Sequence, residues 1–101
     1  MDDQSRVDID VDELRSRLSI YEAILTAMDR WPEVSAAAAS AESREEAATL
    51  LGALLDINEQ QADAVMSINV SSLAKRRRAG IEDEIHSLRA ELADRERETG
   101  R

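Results

Sequence analysis

Apolar residues recur along this chain at helical spacing. Val11, Leu14, Leu18, Tyr21, Leu25 and Met28 follow one another in steps of 3, 4, 3, 4 and 3. Such steps keep one stripe of a helix against a partner helix, so they predict a heptad seam rather than a merely amphipathic face. Ile20 and Ile24 flank the stripe and widen it. Asp10, with Glu13 three residues on, has the form of a capping box, and an arm helix over 11–30 is expected. A second seam, Ile81, Ile85, Leu88 and Leu92, steps 4, 3 and 4 along a returning arm helix expected over 77–98. Residues 1–9 are polar and acidic and read as a disordered tail ahead of a single helical domain over 10–98.

Shorter elements lie between the seams. Pro32 suits the first turn of a new helix, where its missing N–H costs nothing; the helix expected over 32–41 is rich in alanine. Ser43 and Glu46 form a capping box for a helix over 44–55, with Ala47, Leu50, Leu51, Leu54 and Leu55 on its apolar side and Gly52 breaking its regularity. Asn58 and Gln61 repeat the cap for a segment over 59–73, where Ala62, Val65, Met66 and Ile68 are apolar. Its last part is a joint: Asn69, Ser71 and Ser72 can bond locally to the backbone while Val70 and Leu73 anchor it. The fold class that follows is all-α, an antiparallel coiled-coil helix pair capped by a small head of short helices.

Composition sharpens this. The 101 residues include 16 alanines, one Trp, one Tyr and no Phe. Alanine favours helix but buries little apolar area, and burial yields only about 25 cal/mol per Å². A second subunit is the natural remedy for so thin a core. Cysteine is absent and His86 is the one histidine, which excludes thiol chemistry, disulfides and a multi-histidine metal site within one chain. No metal, cofactor or catalytic residue is expected. Tyr21 falls in the seam, His86 beside the other seam, and no phosphate loop or nucleophile–base pair appears. The net charge of -9 opposes wholesale wrapping of nucleic acid. Lys75, Arg76, Arg77 and Arg78 form the one basic cluster and are the candidate phosphate contacts, without the interleaved aromatics that base stacking needs. Neither a spanning apolar run nor a signal-peptide pattern is present, so a cytoplasmic protein is expected.

The residues also resemble a known family. Residues 21–51 and 54–92 are similar to the A subunit of bacterial DNA gyrase and topoisomerase IV, in the part that holds the ends of the coiled-coil arms and the helical head called the C-gate. Ile24-Leu25-Thr26-Ala27-Met28-Asp29 stands where the family's arm helix ends. Ser43, Ala47, Leu50 and Leu51 match the next helix. Glu59-Gln60-Gln61-Ala62-Asp63-Ala64-Val65-Met66 matches the family's most recognisable run, and Arg77-Arg78-Ala79-Gly80-Ile81-Glu82 opens the returning arm. The resemblance implies a homodimer through 44–55 and 59–73, with Leu50, Leu51, Leu54, Leu55, Val65, Met66, Ile68, Val70 and Leu73 at the interface. The family's catalytic tyrosine sits in a separate winged-helix domain that nothing here matches, and Tyr21 does not correspond to it. Ser67 replaces an acidic family residue, and Gly80 loosens the returning helix. A small protein that kept the head and a fragment of a longer chain both fit this pattern.

The expected function is a non-enzymatic homodimeric interaction module. A modulator that binds DNA gyrase through its A subunit, and a weak DNA-binding protein using residues 75–78, are the alternatives. No membrane association is expected.

Overall fold

The structure is a computed structural model. It describes the backbone of residues 3–99 and the side chains of 11–98 other than Val70, Ser72 and Arg76. Five α-helices follow in order, and no strand occurs among the described residues: α1 Asp3–Asp29, α2 Trp31–Ser40, α3 Arg44–Leu55, α4 Glu59–Met66 and α5 Lys75–Thr99, with a 3₁₀ turn at Val70–Leu73 before α5. Among those residues no helix is long and apolar enough to cross a membrane.

α1 and α5 lie side by side and antiparallel. Arg15 pairs with Glu96, Glu22 with Arg89 at 2.6 Å, and Asp29 with Arg78 at 2.6 Å. Positions rise along one helix as they fall along the other, which fixes both direction and register. Between the helices lie Leu14, Ile81, Ile85 and Leu88, all buried, while Val11, Leu18, Tyr21, Leu25, Met28 and Leu92 are half-buried.

The head packs on the other side of α1. Ala23 and Ala27 there are 3% and 0% exposed and join Val34, Leu51, Leu55 and Val65 in one core. These alanines lie off the seam, on the face about half a turn away. Their small side chains let α4 come close enough for Gln61 Nε2 to donate to the carbonyl of Ser19 at 2.9 Å. Two of the short helices are bounded as local chemistry demands. At the head of α3, Ser43 accepts from the Glu46 N–H at 3.0 Å, and the Glu46 side chain accepts from the Glu42 N–H. α3 ends on Asp56 in the left-handed region, φ 56°; Asp tolerates that geometry better than most residues do. Asn58 and Gln61 form a full reciprocal box at α4.

Several boundaries differ from the sequence expectation. α1 starts at Asp3, so the stretch expected as a tail is helical from residue 3 and Asp10 lies inside the helix; residues 1 and 2 lie outside the described residues. The segment over 59–73 is two elements, not one. Ser67 Oγ bonds back to the Asp63 carbonyl at 3.1 Å and Ser71 Oγ donates to Asn69 Oδ1 at 2.6 Å, local bonds that compete with a helical ladder. α5 begins at Lys75, two residues before the expected start, which places the whole basic cluster in its first turn.

Candidate interaction surface

The residues expected at an interface divide into two groups. Leu51, Leu55 and Val65 are 1%, 8% and 1% exposed within this chain's own core. They pack inside this chain's own core, where a place at a subunit interface was expected of them. Leu50, Leu54, Met66, Ile68 and Leu73 are half-buried and present part of their apolar surface to solvent. Val70 lies outside the described side chains. The cause of the division is geometric: α3 packs chiefly against α2 and α4, and Ala47, Leu51 and Leu55 are buried there while Leu50 and Leu54 are left at its flank.

An open groove runs between α2, α3 and the end of α4. Val34, Leu51 and Val65 form its floor, and Trp31, Met66 and Ile68 its half-exposed walls. Trp31 follows directly on Arg30, where the chain breaks out of α1 with φ -116° and ψ 33°. Pro32 stands in the first turn of α2, as its lost donor requires.

Arg30 holds this corner together. Its Nε and Nη2 donate to the two carboxylate oxygens of Glu33 at 2.7 and 3.0 Å, and Nη1 donates to the carbonyl of Leu54 at 3.2 Å. One guanidinium thus joins the end of α1, the first turn of α2 and the last turn of α3. α3 has no basic residue in its own last turn, and a cation there complements the negative end of the helix. The hydrogen bond from Arg30 holds the Glu33 carboxyl below the usual carboxylate range, and the same bond raises the Arg30 guanidinium. The sequence signal for this pair was the spacing of three between opposite charges.

The basic cluster is smaller in space than in sequence. Arg78 is taken up by Asp29 at 2.6 Å and Glu82 at 3.4 Å, so it ties the arms rather than facing a phosphate. Lys75 and Arg77 are exposed, and Arg76 lies outside the described side chains. Tyr21 lines a shallow depression with Ile81, Arg77 and Glu84. His86 is exposed on α5. Among the described residues no three His, Asp or Glu side chains gather as metal ligands would, and none of the buried residues is polar or charged. No protein-family model and no curated protein matches the chain.

Proposed function

We propose that this chain is a non-catalytic helical interaction module that works as a homodimer, its head joining two copies and its arms forming a coiled-coil pair. The reading agrees with the resemblance to the type II topoisomerase C-gate. One observation carries it: the head leaves Trp31, Leu50, Leu54, Met66, Ile68 and Leu73 only half-buried, three of them around an open groove, and contiguous apolar surface of this kind suits contact with another protein.

Sedimentation equilibrium at micromolar protein tests the reading. A mass of twice the chain is the expected result, and a strictly monomeric mass across the accessible concentration range refutes it.

A further inference from the structure

Among the described side chains, every arginine but Arg77 pairs with a carboxylate of its own chain. Arg77 is exposed near the start of α5, and Glu84, one heptad further on, is exposed as well and is in none of those pairs. The reason is local. Residues one turn from either are uncharged: Leu73, Ala74, Gly80 and Ile81 around Arg77, and Gly80, Ile81, Ser87 and Leu88 around Glu84. The two stand about 10 Å apart along the helix. They border a depression with Gly80, the buried Ile81 and the half-buried Tyr21 of α1.

We infer that two copies meet along this face at the base of α5, with α5 of a second copy as the occupant, running antiparallel so that Arg77 of each copy faces the partner's Glu84. This rests on the homodimer reading and deepens it, because it names the charges that set the register of the two copies. Charge complementarity decides the occupant. A twofold axis lays a helix against its own reverse. Arg77 and Glu84 are opposite in sign and equally far from the midpoint between Gly80 and Ile81, so the reversal sets cation on anion twice. Charges one heptad apart beside a seam choose partner and orientation in coiled coils in the same way. Each copy bears -9 and repels a second copy over most of its surface, whereas this depression is lined by one charge of each sign. Gly80, with open space where a Cβ would stand, puts no side chain between the helices, which suits the near end of the usual spacing of about 8–10 Å. Tyr21 beside it is a residue type enriched in interfaces, as is Arg77. Leu73, half-buried and one turn before Arg77, joins this face to the apolar residues of the head.

Charge exchange tests the inference by sedimentation equilibrium, with circular dichroism as the control for folding. Arg77→Glu and Glu84→Arg change exposed side chains without an ion pair in their own chain, so both are expected to keep helicity. Each sets like charges face to face twice and is expected to weaken the dimer about 100-fold. An equimolar mixture of the two variants is expected to recover a mass of twice the chain: the new carboxylate of one meets the new guanidinium of the other, and the second pair is native. The double variant Arg77→Glu, Glu84→Arg is expected to dimerise like the wild type. Net charge alone gives a different pattern, since Arg77→Glu makes the chain more acidic and Glu84→Arg less so. A weaker dimer in the first with a tighter one in the second therefore overturns the pairing. So does failure of the mixture to recover. A dimeric wild type with both single variants equally dimeric overturns the location and leaves the homodimer reading standing. A monomeric wild type overturns both.

Discussion

Replacing Gln61 with glutamate separates two tasks that one side chain performs. Its Oε1 accepts from the Asn58 N–H at 2.9 Å and closes the cap of α4, while its Nε2 donates to the Ser19 carbonyl at 2.9 Å and ties α4 to α1. Gln61→Glu keeps the acceptor and adds a negative charge at the start of α4, favourable by about 0.3–1 kcal/mol. It also exchanges the donor for an oxygen that faces a carbonyl. The Ser19 carbonyl retains its bond within α1, so no orphaned acceptor remains. The loss is therefore one hydrogen bond of about 1 kcal/mol plus oxygen–oxygen repulsion, and a net destabilisation of about 1 kcal/mol is expected. Gln61→Ala loses both bonds, and about 2 kcal/mol is expected. Urea unfolding followed by circular dichroism measures both variants; protein concentration must be fixed, because self-association adds to apparent stability. By heat, the first variant should melt about 4–8 °C lower. If Gln61→Glu is more stable than the wild type at neutral pH by the full charge term of about 0.3–1 kcal/mol, the bond to Ser19 contributes nothing.

Three further outcomes are expected. Gly80 is exposed on α5 with open space where a Cβ would stand, so Gly80→Ala should raise stability by about 0.5–1 kcal/mol in the same unfolding assay. Gly52→Ala should gain less, since its Cβ would meet the Ile57 carbonyl at 3.3 Å. Arg78→Ala removes the pairs with Asp29 and Glu82 and should cost under about 1 kcal/mol, an effect that shrinks with salt; Lys75→Ala should leave stability unchanged. The pair with Arg30 holds the Glu33 carboxyl below its ordinary range, so its stabilisation is full above the unfolded carboxyl's pKa and is lost as pH falls through the lowered folded value. Glu33→Gln should therefore remove that part of the acid dependence of unfolding, measured as midpoint against pH.

Much of the architecture was legible in the residues. Alanine richness and steps of three and four specify helices whatever packs on them, and an all-α chain resulted. The caps at Ser43 and Asn58 were legible for the same reason: a side-chain oxygen next to unpaired N–H groups is a local arrangement, decided within four residues. The candidate surface was less legible. Leu50, Leu51, Leu54 and Leu55 are alike as letters, and the direction from which α2 and α4 approach determined which of them are hidden.

Sequence alone thus determined the helical class and the short-helix caps. Tertiary structure decided the rest. Ala23 and Ala27 became core positions because the head packs on the face of α1 opposite its seam, and an alanine's role depends on what stands over it. Arg78 became an arm tie, and Arg30 a three-helix corner, because partners distant in sequence were brought within hydrogen-bond reach. Most of α2 is open because the head's own helices bury only Val34 of it and half-bury Trp31 and Ala37; sequence marks residues 34–41 as small and uncharged, and only packing decides whether such a stretch is buried or left exposed.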